Sequence, residues 1–326
     1  MKKILLFPVL TLIMFSCQND LSETESKSIE TITKRNCASQ DVLNEQMIAD
    51  PTLAIRMNEI EAFTQKNQFS ISSSRLVAGK IVIPLVVNVL YRTTAENISD
   101  AQIQTQIDVL NKDFTAQNTD ISSVPSIFTG VTAGSSVNGI DITFELVKIN
   151  RKSTTKTSWG TRDAMKKTKQ GGLDPTSPTS NLNLWICTIG GGILGYAQFP
   201  GGSSSTDGVV CDSKYFGVTS NTSVAYPYNL GRTATHEVGH WMNLRHIWGD
   251  TTCGSDLVSD TPTHNASNFG VPVYPHLSTC TGTPIEMTMN YMDYTDDRGM
   301  YMFTLGQKTR MAALFVSGGI RSGFRN

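Results

Sequence analysis

HEVGHWMNLRH, His236 to His246, sets three histidines and a glutamate within eleven residues. On a helix, residues four apart stack on one face a turn from each other, so His236 and His240 can aim two imidazoles at one metal. Glu237 projects just to the side, within reach of a water at such a metal. His246 lies too far along to share that face, so the chain must turn before it. Asn243 stands where the turn is needed, and Asn, after Gly, best tolerates the left-handed conformation at a helix end. The spacing is the HExxHxxGxxH zinc pattern with Asn in the Gly place. The chain holds only five histidines and three fall in this register, which leaves little room for an ordinary helix with surface or core histidines.

Three neutral imidazoles leave a tetrahedral zinc ion one open position, the mark of a catalytic rather than a structural site. Zinc lowers the pKa of a bound water and polarises a neighbouring carbonyl. A glutamate beside it can carry the water's proton to a leaving amine. These parts fit amide hydrolysis best. Structural zinc sites prefer Cys ligands and need no Glu at the second position.

Composition sets the frame. The 326 residues are 39% hydrophobic and 17% charged, with net charge -1, which gives no reason to expect nucleic acid or an anionic membrane surface as partner. No apolar run reaches the length that spans a bilayer. Lys2 and Lys3 precede the apolar run Ile4 to Phe15, and Ser16 leads into Cys17. Residues 1–17 therefore read as an export signal. Cys17 at the cut resembles a bacterial lipoprotein signal, whose thiol is lipidated, although Met14 stands where Leu is usual. A plain secretory signal containing Cys17 is the alternative. Either way the chain leaves the cytoplasm and disulfides are allowed.

From Gln18 to about Arg35 the sequence reads as a flexible polar tether. RNCAS, Arg35 to Ser39, leads into a helical stretch carrying Val42, Leu43, Met47, Ile48, Ile55, Ile60 and Phe63. Gln68 to Ser74 is a Ser-rich linker. Lys80 to Tyr91 reads as a buried strand. Ser99 caps a helix whose apolar face is Ile103, Ile107, Leu110 and Phe114. Further strands are expected at Ile140–Val147, Leu182–Cys187 and Asp207–Asp212. The glycines of GGGILGYAQFPGG, Gly190 to Gly202, miss the dinucleotide spacing and mark a strand and loop running close to something else. Trp248 to Cys280 is irregular, and Thr304 to Phe315 is a closing helix. Helices alternating with strands, without repeats, give an α/β or α+β domain of about 250 residues.

Beyond the zinc pattern, NYMDYTDD at Asn290–Asp297 resembles the methionine turn that lies under the metal in metzincin metalloproteases. Asn243 together with that turn looks most like the pappalysin family and its ulilysin-like bacterial and archaeal relatives. The likeness extends to GYAQFPGG and DGVV upstream, and covers roughly residue 80 to the C-terminus. The resemblance implies an α+β fold of α/β/α type. A twisted mixed sheet with backing and active-site helices lies above the cleft, and an irregular C-terminal subdomain with Met turn and terminal helix lies below. Its boundaries would be 18–75 for a propeptide and linker and 76–326 for the catalytic domain, with subdomains meeting at 246/247.

It also implies roles. Met292 would be a hydrophobic floor, Tyr294 an oxyanion donor, and Asp297 the base of the pocket for the residue after the scissile bond, selecting Arg or Lys. A solvated turn carboxylate is the other reading of Asp297. Cys37 would ligate the zinc in a latent zymogen, or else is a buried or disulfide-bonded residue. Removing it needs a cut near Ser74–Leu76, which the enzyme could make itself between Ser74 and Arg75. Four other cysteines allow three pairings. Relatives carry a bridge matching Cys253–Cys280, and Cys187 and Cys211 could be paired or simply buried. Asp250, Asp256, Asp260 and Thr261 suit Ca²⁺, which relatives bind near this loop; acidic residues on a wet loop are the alternative. His264 and His276 read as loop histidines. The expected protein is a monomeric, secreted or surface-anchored zinc endopeptidase acting on protein or peptide substrates. It would touch a membrane only through a lipid at Cys17. The contrasting reading is a binding lipoprotein that keeps the fold without activity.

Overall fold

Five strands form one sheet in the order β2-β1-β3-β5-β4: β1 Lys80–Tyr91, β2 Asp141–Ser153, β3 Leu182–Cys187, β4 Gly195–Ala197 and β5 Val209–Asp212. In this computed structural model the described residues are 34–67, 80–134, 141–219 and 225–324. The export segment with Cys17, and the Ser74–Arg75 bond, lie outside them. Four strands run parallel and β4 alone is antiparallel, paired to β5. The helices are α1 Ser39–Ala49, α2 Leu53–Asn67, α3 Asp100–Phe114, α4 Arg232–Trp241 and α5 Leu305–Ala312.

The sheet's two faces are covered differently. On one face Ile81, Ile83, Leu85, Val87 and Val89 of β1 pack with Ile103, Ile107, Leu110 and Phe114 of α3 and with Ala234, Val238 and Trp241 of α4. The helix α3 begins where expected, Ser99 accepting a hydrogen bond from the Gln102 N–H at 3.1 Å. Burying its four apolar side chains contributes roughly 6–12 kcal/mol before entropy is charged against it. On the other face Leu90, Trp185, Cys187, Tyr196 and Val210 are covered by Trp159, Met165 and Ile189 from irregular chain and by Ala38 and Val42 at the start of α1. Cys187 and Cys211 sit on adjacent strands, but Cys211 is in register with Ile186, not Cys187. A one-residue offset sends the two side chains to opposite faces, so both are free and buried.

The strands at 80–91 and 182–187 match the sequence reading. β2 runs six residues past Val147, because pairing with β1 as far as Tyr91 holds its polar continuation. The stretch read as one helix after Ser39 is two, α1 and α2, separated at Asp50–Thr52 where Pro51 interrupts the pattern and Asp50 accepts from the Thr52 N–H. The described residues belong to one compact unit, so α1 and α2 lie against the sheet-bearing part of the chain rather than apart from it.

Two arginines fix the end of α4. Nε of Arg310 on α5 donates to the Asn243 carbonyl at 2.9 Å, and Nε of Arg321 donates to the Trp241 carbonyl at 3.0 Å. Cations at a helix C-terminus satisfy its last carbonyls and its dipole. The cap of α5 is a reciprocal Thr304–Gln307 box. Between these helices the chain is irregular and is bridged by Cys253–Cys280.

Candidate active site

Helix α4 carries His236, Glu237 and His240, then stops at once. Asn243 has φ 69°, and the Leu244 N–H reaches back to the Gly239 carbonyl at 2.9 Å, a left-handed C-terminal turn. That turn swings His246 back toward the helix. The Nε2 atoms of His236 and His240 are 3.1 Å apart, as are those of His240 and His246. With Cys37 Sγ, the four donor atoms all lie within 4.8 Å of one another.

Each imidazole is oriented from behind. Nδ1 of His236 donates to the Tyr291 carbonyl at 2.7 Å, Nδ1 of His240 to the Leu244 carbonyl at 2.8 Å, and Nδ1 of His246 to Asp250 Oδ1. With the proton on Nδ1, every Nε2 presents a lone pair. Three lone pairs converging at 3.1 Å in a dry pocket suit a cation, and tetrahedral Zn–N bonds of about 2.0–2.1 Å would set N···N edges of about 3.4 Å. Burial, then the neighbouring imidazoles, push His236 and His240 well below the ordinary imidazole range, which keeps them in the ligating form.

Glu237 is buried, and burial pushes its pKa up to about 7 against hydrogen bonds that lower it. Its Oε2 accepts from Cys37 Sγ at 3.2 Å and from Ser39 Oγ at 2.9 Å. Gly195 on β4 leaves room for it: a Cβ there would sit 2.9 Å from Glu237 Cγ. Gly239 does the same for Met292, since a Cβ would meet its Sδ at 2.5 Å. Met292 is fully buried beneath the helix, and its carbonyl accepts from the Ile247 N–H at 3.1 Å.

Tyr294 packs its ring 4.9 Å from that of His246, and its hydroxyl donates to the Cys37 carbonyl at 3.1 Å. Trp248 stacks on His246 at 4.4 Å, walling the third imidazole. Asp297 is fully buried. Its Oδ2 accepts from the Leu230 and Arg232 N–H groups, and its Oδ1 accepts from Arg35 Nη2 at 2.6 Å. Arg35 also donates through Nε to the Thr295 carbonyl and through Nη1 to Thr233 Oγ1, and its guanidinium lies 4.9 Å over the Tyr228 ring. The segment carrying Arg35 and Cys37 runs beside β4, with a parallel bridge from Cys37 to Gly195 and the Ala38 N–H donating to the Gly195 carbonyl at 3.1 Å.

In the loop read as a calcium site, the acidic residues meet several protein donors. Asp250 orients His246. Asp256 accepts from the Thr261 hydroxyl at 2.9 Å, while Asp260 reaches Thr304 and the Gly306 N–H at the start of α5. Among the described residues these carboxylates do not converge on a common point, because each already has protein donors. His276 is a loop histidine, 3.0 Å from Glu286, whereas His264 is fully buried, its Nε2 accepting from the Met287 N–H at 2.9 Å.

Sequence reasoning missed Ser39, Trp248, Thr233, Tyr228, Gly195 and Gly239. Only the Asp250 role left a trace, four residues after His246. Trp248 lies two residues from His246, and the others are contacts between distant stretches.

Comparison with known proteins agrees with this geometry. The family described as pregnancy-associated plasma protein-A matches residues 179–316. An extracellular metalloprotease of Arthroderma benhamiae is 31% identical over 252 residues, 74% of this chain and 79% of that protein. Extracellular metalloprotease 1 of Coccidioides posadasii is 37% identical over 179 residues, and there the match spans 62% of the relative's length. Among solved structures, mature mirolysin of Tannerella forsythia in complex with a cleaved peptide is 43% identical, with TM-score 0.71, covering 76% of this chain and 96% of that one. A promirolysin mutant from the same organism is 40% identical with TM-score 0.78, covering 89% and 97%.

Proposed function

This chain belongs to the pappalysin family of metalloproteases, and from that premise we propose that it is exported as a latent zinc endopeptidase whose mature form cuts before Arg or Lys. The observation that carries the reading is the joint placement of Arg35 and Cys37. One extended segment sets a guanidinium against Asp297 and a thiol among three imidazoles.

His236, His240 and His246 would hold the zinc, which when bound polarises the scissile carbonyl and acidifies a water. The protein supplies the rest. With residues 18–75 removed, the edge of β4 is open to an extended substrate backbone, as it now meets Cys37 and Ala38. Glu237 takes the water's proton as the new C–O bond forms and gives it to the amide nitrogen as the C–N bond breaks. The Tyr294 hydroxyl donates to the carbonyl oxygen as it gains negative charge, worth a few kcal/mol.

Arg should be preferred over Lys. Nε, Nη1 and Nη2 of a guanidinium meet three acceptors in three directions, Thr295, Thr233 and Asp297, where a single ammonium centre cannot match the fork. Latency would follow from Cys37 joining His236, His240 and His246 in holding the zinc. Self-cleavage between Ser74 and Arg75 would release it, and a mature N-terminus at Arg75 by intact mass is the expected result. Cys17, at the end of the export segment, would carry a lipid on the unprocessed form, and the cut would then free the catalytic domain.

A casein digest tests the chemistry. Chelation should abolish cleavage, and Glu237→Ala should lower kcat by about 10³-fold or more. Equal cleavage by wild type and variant would contradict the mechanism.

A further inference from the structure

Leu43, Leu53, Met57 and Phe199 form a buried apolar cluster of their own, with Met47 packed against it. Three of the four belong to α1 and α2; Phe199 alone is part of the catalytic domain. It is 2% exposed here, and it follows β4 by two residues. Its ring lies 5.2 Å from that of His240. The chain beside it is shaped for the contact. Gly201, at φ 103°, brings its backbone so near α2 that a Cβ would lie 3.1 Å from Ile60, 3.5 Å from Leu53 and 3.6 Å from Met57. The Gly201 carbonyl accepts from Arg56 Nε at 2.8 Å.

Direction along the cleft assigns this seat. The segment passes from Asp297 at Arg35, through the imidazoles at Cys37, to Phe199 at α1 and α2. If Asp297 receives the residue after the scissile bond, Phe199 lies on the side of the residues before it.

We propose that Phe199, with Pro200 and Gly201, is a second specificity subsite, one that takes an aliphatic side chain on the amino side of the scissile bond. It rests on the Asp297 pocket reading only for direction. Leu43, Leu53 and Met57 stand in for that side chain in the latent chain. Once they leave, the Phe199 ring is uncovered beside a zinc ligand. An aliphatic side chain re-covers it and removes apolar area from water, while a carboxylate there gains no partner and loses hydration.

The test uses the matured enzyme and quenched-fluorescent peptides with Arg after the cut, and with Leu, Ser or Asp placed in turn at each of the four positions before it. At one position Leu should exceed Ser by about tenfold in kcat/KM, with Asp the poorest. Phe199→Ala should bring the Leu/Ser ratio toward one while the Arg/Ala ratio after the cut keeps its wild-type value. Equal rates for Leu and Ser at every position of wild type, with Arg still required, would overturn the subsite. Cleavage that follows Leu but ignores Arg would overturn the Asp297 pocket and leave the subsite standing. The wild-type series decides alone if the variant does not load zinc.

Discussion

The segment that blocks the cleft does so in two different ways. From Arg35 to Ser39 its polar side chains make directional contacts: Arg35 meets Asp297, Thr295 and Thr233, Cys37 the imidazoles and Glu237, and Ser39 Glu237. From Leu43 onward it is helical and amphipathic, its apolar side chains seated on Phe199, with ion pairs from Glu61 to the buried Arg310 and from Glu45 to the exposed Arg162. The first region makes directional contacts with the groups that the proposed mechanism assigns to substrate and water. The second contributes area, which is non-directional and roughly additive. The difference separates two tasks, disabling the chemistry and holding the block in place, and the two can be broken one at a time.

Asp297→Asn should have the larger effect. It leaves Arg35, or a substrate guanidinium, buried against a neutral amide, and losing a buried charged partner costs roughly 2–5 kcal/mol. Cleavage before Arg should fall by about a hundredfold in kcat/KM on matched peptides, with hydrolysis of peptides bearing Ala there little changed. An unchanged Arg preference would remove Asp297 from the pocket.

Next comes a paired comparison of Cys37→Ala and Leu53→Ala. The first removes the thiol and leaves the apolar seat, so the uncut chain should gain peptidase activity while α1 and α2 stay bound. The second leaves the chemistry blocked but removes buried area, about 2–5 kcal/mol for Leu to Ala. Cut prosegment should then dissociate from the catalytic domain tens of times more readily in a gel-filtration or inhibition assay. If both variants behave alike, the division of labour is wrong.

The smallest effect lies away from the cleft, and the block should not alter it. Burial pushes His264 down to about 4, with Glu286 pulling the other way. The folded chain keeps this imidazole neutral, whereas an unfolded one protonates near its usual 6.5. Its contribution is therefore complete above pH 6.5 and is lost as pH falls toward about 4. Relative to His264→Gln, the wild type should lose a few degrees of melting temperature across that window; parallel curves for the two proteins would contradict this.

The zinc site was legible because its logic is local. His236, Glu237, His240, Asn243 and His246 lie within one helix and one turn, where spacing dictates direction. β1 and β3 were legible because strands buried on both faces read as unbroken apolar runs. The far half of β2 was not, since an edge strand can be polar and still paired. The contact of Asp250 with His246 was not legible, because loop acids look alike until a histidine is placed beside one. Ser39 on Glu237 and Leu53 on Phe199 join residues far apart in the chain, and no pattern in either stretch announces the other.

The occupied pocket at Asp297 makes the sharpest demand on the mature enzyme. Its cleavage products from a proteome-derived peptide library should carry Arg immediately after the cut in strong excess, Lys less often, and the excess should vanish with chelator. A scatter of residues at that position would contradict the reading of Arg35 as a stand-in for substrate.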